Sequence, residues 1–198
     1  SGTIALGTTL DKADLDSVNF DGIKGAVSGN AAAGVVINLG STAYKIDAGT
    51  AYETSVAAGH AVEYNAAAGT TTKKLVTDGF DLTLSGVETV TGTAGADIII
   101  ANAEGSTIIG GTGDDTLTGN SFTNTLIGNK GNDTLIGAGT SSDGGIDYLD
   151  GGEGTDFVSF SDRTSGITLD LSNTSAQDTD GNISNDLIIQ NIENAEGG

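Results

Sequence analysis

The sequence predicts an all-β fold built of short strands that are joined by glycine-rich bends. Three observations lead to this prediction. A nine-residue repeat runs from Gly92 to Ser159, each unit has turn-forming residues at its front and aliphatic residues at its back, and proline is absent throughout. Neither the period of a helix nor a tight hairpin suits this pattern.

The eighth position of every unit is aliphatic, which places one inward side chain on each short strand. The units read GTAGADIII, ANAEGSTII, GGTGDDTLT, GNSFTNTLI, GNKGNDTLI, the enlarged GAGTSSDGGIDYLD and GGEGTDFVS. Their eighth residues are Ile99, Ile108, Leu117, Leu126, Leu135, Leu149 and Val158. The glycines between the strands tolerate the unusual backbone angles of tight bends.

These units resemble the RTX nonapeptide GGxGxDxUx, in which U is a large aliphatic residue. The resemblance implies a right-handed parallel β-roll in which two nonapeptides form one coil, so that each unit stacks on the unit two further along. It also implies Ca²⁺ as the bound ion. We therefore expect an RTX solenoid flanked by short β modules that cap it.

The sixth position alternates between acidic and uncharged residues from one unit to the next. The odd units carry Asp97, Asp115, Asp133 and Asp156 there. The first two even units carry Ser106 and Asn124, and only the enlarged even unit has an acid, Asp147. With every second unit stacked, this predicts a calcium ladder on one edge and no tightly held calcium between Ser106 and Asn124. A mixed site between Asn124 and Asp147 stays open, because the extra residues of 137–150 can instead bulge outwards.

Calcium takes six to eight hard oxygen ligands, which carboxylates and main-chain carbonyls can supply together. The resemblance implies that each site uses the carbonyls of the second and fourth positions of one turn, those of the first and third positions of the next stacked turn, and both acids. The first site would comprise Thr93, Gly95, Asp97, Gly110, Thr112 and Asp115; the second Gly111, Gly113, Asp115, Gly128, Lys130 and Asp133; the third Asn129, Gly131, Asp133, Gly151, Glu153 and Asp156. Only the main-chain oxygen is assigned at Lys130 and Glu153. The other interpretation of the acid column is a merely solvated edge.

The composition favours a protein whose folding depends on cations. The chain has 27 acidic and 7 basic residues, a formal charge of −20, so it repels itself without counter-ions and nucleic acid is not expected as a partner. Cysteine is absent, which excludes disulfides and thiolate metal sites. No apolar run is long enough to span a membrane, so membrane insertion is not expected, and the N-terminus lacks the pattern of a signal peptide.

The segments on either side of the repeats resemble each other. Residues 16–20 (DSVNF) resemble 156–160 (DFVSF), GVVINL (34–39) resembles GITLDL (166–171), and residues 81–92 align without gaps to 186–197. We predict three parts: an N-terminal β module (1–91), the calcium-binding roll (92–159) and a C-terminal β module (160–198) that leads towards a further repeat block. The chain is thus expected to be a piece of a longer alternating array. Strands are predicted near 34–39, 61–64, 72–77 and 81–85.

Other motifs give less specific predictions. His60 and Glu63 have the spacing of a partial metal site, but the chain has one histidine, and a packed or solvated side chain is the preferred interpretation. The segment with Asp178, Asp180 and Asn182 is either an accessory calcium loop or a polar turn; it lacks the glycine position and bidentate glutamate of an EF-hand. No phosphate loop and no nucleophile with a base is recognisable.

The prediction of function is a non-catalytic, calcium-binding structural segment of a secreted bacterial cell-surface protein, of the S-layer or adhesin type, that folds on calcium binding outside the cell. Its expected partners are calcium ions and, as a further option, neighbouring copies or other cell-surface polymers. One alternative is a folding and secretion module of an RTX toxin or secreted hydrolase. Another is a carbohydrate- or ice-binding surface, for which Thr116, Thr125 and Thr134 suggest a threonine array.

Overall fold

The computed structural model describes residues 16–19, 33–39, 44–45, 55–56, 60–65, 74–75, 81–83, 87–101, 105–137, 146–161, 166–179 and 187–197. Within these ranges the regular structure consists of strands, without a helix. The strands are β1 (Asp16–Asn19), β2 (Ala33–Asn38), β3 (Tyr44–Lys45), β4 (Ser55–Val56), β5 (His60–Asn65), β6 (Lys74–Leu75), β7 (Asp81–Thr83), β8 (Val87–Thr91), β9 (Ile98–Ile100), β10 (Thr107–Thr112), β11 (Thr116–Thr118), β12 (Thr125–Lys130), β13 (Thr134–Ile136), β14 (Asp147–Glu153), β15 (Phe157–Ser159), β16 (Leu187–Gln190) and β17 (Asn194–Glu196).

Two sheets face each other and the chain alternates between them. The six-stranded sheet has the order β1-β8-β10-β12-β14-β16 and is parallel throughout. The nine-stranded sheet runs β17-β15-β13-β11-β9-β2-β5-β6, with β7 also paired to β5, and it is parallel from β17 to β2. Consecutive repeat units therefore lie in opposite sheets, and units two apart are hydrogen-bonded neighbours. This confirms the predicted parallel β-roll.

The inward positions of the strands form two facing columns of aliphatic side chains. All seven predicted inward residues are fully buried. In the six-stranded sheet the column is Val90, Ile108, Leu126, Leu149 and Ile189, and in the nine-stranded sheet it is Ile37, Ile99, Leu117, Leu135 and Val158. One large side chain per strand is what a nine-residue unit can turn inwards, so the core is one side chain deep from each sheet.

At the N-terminal end, the flanking strands first extend both parallel sheets, and antiparallel strands then follow in the nine-stranded sheet. Strand β1 pairs with β8 and β2 pairs with β9, both in parallel. Strand β5 then pairs antiparallel to β2 and is itself joined by β6 and β7. The strands predicted in this flank are confirmed where the structure describes them, and residues 72–73, 76–77 and 84–85 of the predicted ranges lie outside the described residues.

At the C-terminal end, β16 adds to β14 and β17 adds to β15. The segment 166–179 covers this end, with Ile167, Leu169 and Leu171 packed against the core. The buried side chain of Gln177 holds the segment together, because its amide nitrogen donates to the carbonyls of Asp170 (3.0 Å) and Asn173 (2.9 Å).

The sequence similarity between the flanks corresponds to a shared pairing. In the aligned segments, β1 pairs with β8 through Val18 and Val90, and β15 pairs with β17 through the equivalent residues Val158 and Ala195. The first pair lies in the six-stranded sheet and the second in the nine-stranded sheet. The strand pair is thus repeated at both ends of the nonapeptides, on opposite sheets.

Candidate calcium sites

The acids of the odd units lie in the turns that lead from the six-stranded to the nine-stranded sheet, and we call this side of the roll the acid edge. Asp97, Asp115, Asp133 and Asp156 are each at most 1% exposed. Successive acids are linked along the stack: an Oδ1 atom accepts the main-chain N–H of the acid one turn earlier, at 2.7 Å for Asp115 and 2.8 Å for Asp133 and Asp156. The four predicted acids therefore form one buried column.

A glycine at the first position of each turn leaves the space that the carboxylate occupies. A Cβ atom on Gly110 would overlap Asp115 Oδ2, and one on Gly128 would overlap Asp133 Oδ2. The main-chain oxygen of the next stacked turn approaches the same point, Gly128 O beside Gly110 and Gly151 O beside Gly128. Beside each of these glycines, the carboxylate oxygen of one turn therefore lies close to the carbonyl oxygen of the next stacked turn.

Three carboxylate oxygens in the column lack a partner. Within the described part of the chain, Oδ2 of Asp115, Asp133 and Asp156 is buried and has no hydrogen bond. A buried, unpaired carboxylate oxygen is costly, so such atoms call for a cation or a proton. Calcium fits this donor set, because it accepts carboxylate and carbonyl oxygens in flexible geometry.

The first acid of the column, Asp97, differs from the others because a residue of its own turn forms hydrogen bonds to both of its carboxylate oxygens. The main-chain N–H of Thr93 donates to Asp97 Oδ2 at 2.5 Å, and its hydroxyl donates to Oδ1 at 2.9 Å. The turns of the other acids have Gly111, Asn129 and Gly152 at this second position, without a hydroxyl. The sequence predicted only a main-chain ligand at Thr93, and this role of its side chain was not foreseen.

The electrostatics of the acid edge oppose ionisation when no cation is bound. Burial, followed by the charge of Asp97, raises the pKa of Asp115 from 3.8 to about 9. Burial also raises the pKa of Asp133 from 3.8 to about 6, with Asp156 as an additional charge. The pKa of Asp156 is raised for the same main reason. A cation that binds the column would therefore displace protons from these carboxyl groups.

The third and fifth positions of the same turns carry side chains that point to solvent. Lys130 and Glu153 form an exposed ion pair at 3.1 Å, so their charged groups lie outside the buried column. At the fifth position, Asp114 Oδ1 accepts the N–H of Asn132 at 2.8 Å, and Asn132 Oδ1 accepts the N–H of Thr155 at 3.0 Å. This outer column links the turns without a buried charge.

The opposite edge is formed by the turns with Ser106, Asn124 and Asp147. There, the side-chain amide of Asn124 forms hydrogen bonds to its own turn and to the preceding turn. Asn124 Oδ1 accepts Ser106 N–H at 3.2 Å, and Asp147 Oδ1 accepts Asn124 N–H at 2.8 Å. The side-chain nitrogen of Asn124 donates to the carbonyls of Asn120 (3.1 Å) and Phe122 (2.5 Å), the second and fourth positions of its turn. These are the positions whose carbonyls the resemblance assigns to calcium on the acid edge.

Several of the predicted residues lie apart from the column. Asp178 is partly buried near the C-terminal end, whereas Asp180, Asn182 and the segment 138–145 lie outside the described residues. His60 and Glu63 belong to β5, and the structure describes only their backbone.

The three threonines suggested as an array do not form one column. Thr116 pairs with Thr134 in the nine-stranded sheet, while Thr125 lies in the six-stranded sheet beside Thr107. Each threonine pair is followed by an aromatic residue, Phe157 or Tyr148. The predicted array was wrong because adjacent units lie in opposite sheets.

Among the residues that the structure describes, no group of three or more His, Cys, Asp or Glu side chains could hold a metal ion. A cation at the acid edge would therefore need main-chain oxygens in addition to the carboxylates. In the same part of the chain, no helix has the length and apolar character to cross a membrane.

A parallel β-roll with a buried acid column along one edge defines a calcium-binding solenoid. Comparison with protein families agrees: the RTX calcium-binding nonapeptide repeat (4 copies) matches residues 83–117, 109–139 and 141–162. Residues 83–162 therefore carry RTX repeats, which bind Ca²⁺ and form a structural module. No curated protein matches the chain.

Proposed function

We propose that the chain is a calcium-binding structural segment of a secreted bacterial cell-surface protein, of the S-layer or adhesin type, which folds when it binds calcium outside the cell. The observation that carries the proposal is the buried acid column with its three unpartnered Oδ2 atoms. The chain resembles RTX proteins, which are exported unfolded and fold where calcium is plentiful. This resemblance supports an extracellular location.

The ladder is proposed to hold calcium between successive turns of the acid edge. The three pairs of acids are Asp97 with Asp115, Asp115 with Asp133, and Asp133 with Asp156. The remaining ligands are the main-chain oxygens of the turns, assigned by position as above. Support comes from the convergence of a carboxylate and a carbonyl oxygen beside Gly110 and Gly128.

Calcium binding is proposed to supply the folding free energy that this acidic chain lacks. The sites join residues 18 to 23 positions apart, so they exist only in the coiled chain. A ligand that binds only the folded state stabilises it by about 2.7 kcal/mol per site at a concentration near 100 times its Kd. Several linked sites would therefore make folding steeply dependent on calcium.

The flanks are proposed to cap this calcium-dependent roll and to connect it to neighbouring repeat blocks. The division into 1–91, 92–159 and 160–198 follows the sequence repeat. The pairing of β1 with β8 and of β15 with β17 supports a joint that recurs on both sides of the nonapeptides. Such an alternation suits a passive, extended scaffold.

Calorimetry and circular dichroism of the chelated chain test the proposal. We expect cooperative uptake of at least three calcium ions per chain and a change from coil to β structure. Equal β content in chelator and in calcium, or no calcium binding, would contradict it.

A further inference from the structure

The acid column continues beyond the nonapeptides to Glu193. Its Oε2 accepts the N–H of Asp156 at 2.7 Å, as each ladder acid accepts the N–H of the acid one turn earlier. The next residue, Asn194, donates to the carbonyl of Asp156 at 3.0 Å, just as Phe157 donates to Asp133 at 2.8 Å. Glu193 therefore takes the place that the sixth-position acid has in the nonapeptide turns, although no nonapeptide surrounds it.

The oxygens around Asp156 repeat the arrangement of the inner turns. Asp156 is fully buried, and its Oδ2 has no hydrogen-bond partner among the described atoms. A Cβ atom on Gly151 would overlap both this Oδ2 and the main-chain oxygen of Asn191. The same pair of oxygens, a carboxylate of one turn and a carbonyl of the next, converges beside Gly110 and Gly128.

The turn that presents Asn191 is fixed in place. Asn191 has a left-handed backbone conformation with a φ of 51°, which asparagine tolerates better than most residues. Its side-chain nitrogen donates to Asp150 Oδ1 at 2.7 Å. This bond anchors the turn that directs the Asn191 carbonyl at Asp156.

We infer that Asp156 and Glu193 hold a further calcium ion at the C-terminal end of the acid edge. Its other ligands are the main-chain oxygens of Gly152, Gly154 and Asn191, with water completing the coordination that calcium accepts. The turn 191–193 is shorter than the six-residue turns of the repeats, and glutamate has one more methylene than aspartate to reach the column. The inference rests on the proposed function and adds one site to the three of the ladder.

This site couples the C-terminal flank to the roll. Glu193 directly precedes β17, which pairs with β15. Calcium between Asp156 and Glu193 therefore fastens β17 to the last nonapeptide strand, and the docking of this strand becomes dependent on calcium.

Calorimetric titration of the chelated 198-residue chain with calcium tests the inference through Glu193→Gln. Glutamine keeps an oxygen that accepts the Asp156 N–H but removes the charge. We expect one calcium ion fewer per chain than in the wild type, with the remaining sites retained. The matched control is Glu196→Gln, an exposed acid on β17, which should bind as many ions as the wild type.

Hydrogen exchange in saturating calcium gives a second readout. Glu193→Gln should lower the protection of the β17 amides and leave those of β11 and β13 unchanged, whereas Glu196→Gln should alter neither. An unchanged stoichiometry and unchanged β17 protection in Glu193→Gln would overturn the inference. Absence of calcium binding in the wild-type chain would instead overturn the proposed function, so the two failures are distinguishable.

Discussion

Substitution of Asp115 should lower the stability of the chain in calcium without lowering its stability in chelator. It belongs to two of the proposed sites, and burial raises its pKa to about 9. In Asp115→Asn the amide oxygen still accepts the Asp97 N–H, but the ionisable group is gone. Thermal unfolding in chelator should therefore show a variant at least as stable as the wild type. In calcium at about 100 times Kd, loss of two sites should cost about 5 kcal/mol.

Asp114→Asn is the matched control for this substitution. The neighbouring Asp114 is exposed, and the amide keeps the oxygen that accepts the Asn132 N–H. The same charge is removed, yet no proposed ligand is lost, so the calcium dependence should stay close to that of the wild type. Equal loss of calcium-dependent stability in both variants would mean that net charge, not ligation, governs the acid edge.

The side-chain nitrogen of Asn124 binds the carbonyls of the second and fourth positions of its turn. On the acid edge, the carbonyls of these positions are proposed to bind calcium. Asn124→Asp removes the donor to the carbonyls of Asn120 and Phe122 and places an acid beside Asp147. We expect the variant to be less stable in chelator and to bind one more calcium ion by calorimetry. Ser121→Asp, which adds the same charge at an exposed position of the same turn, should leave the number of ions unchanged.

The turns of the acid edge give the calcium-free roll an unusual dependence on pH. The pKa of Asp115 and that of Asp133 are raised in the folded state, to about 9 and about 6 from 3.8. The folded state therefore binds more protons than the unfolded state between pH 3.8 and these values, and stability falls as pH rises through this window. In chelator, circular dichroism should show more β structure near pH 4 than near pH 8.

In calcium, the stability of the roll should instead rise as pH rises. Protons and calcium compete for the same carboxylates, so the apparent calcium affinity should rise with pH as the column ionises. A calcium-free chain that gains β structure as pH rises from 4 to 8 would contradict the raised pKa values. The Asp115→Asn variant should show a shallower pH dependence, since it lacks a group whose pKa is raised to about 9.

At the scale of the whole molecule, the repeat predicted most of the roll because its two spacings are visible in the sequence. The aliphatic residue in each nonapeptide fixes the core, and the alternation at the sixth position assigns the acids to one edge. Glu193 was not foreseen because its turn is three residues long and lies outside the nonapeptides. The hydrogen bonds of the Thr93 hydroxyl, and those from the Asn124 side-chain nitrogen to the carbonyls of its own turn, were missed as well, since they depend on which carbonyls and carboxylates the folded turns bring near.

The flanks show a second limit of the sequence. Their similarity was visible, and the pairing of β1 with β8 recurs in β15 with β17. The sheet that each strand would join was not visible. Residues 81–83 form β7 on β5, whereas the aligned segment contributes to β16 on β14. Strand partners depend on the number of turns between them, which an alignment of short segments does not contain.

The net charge of −20 raises the question whether calcium acts by general screening or by site binding. Sodium chloride at about 0.5 M reduces the Debye length to about 4 Å and so screens exposed charges, but it leaves the buried acid column without ligated ions. Magnesium demands near-octahedral geometry and dehydrates reluctantly, so it fits poorly among flexible carbonyls. We therefore expect neither salt to restore the β structure of the chelated chain, whereas millimolar calcium should do so. Circular dichroism at matched ionic strength measures this, and full recovery in sodium chloride alone would show that the acid column opposes folding only through long-range repulsion.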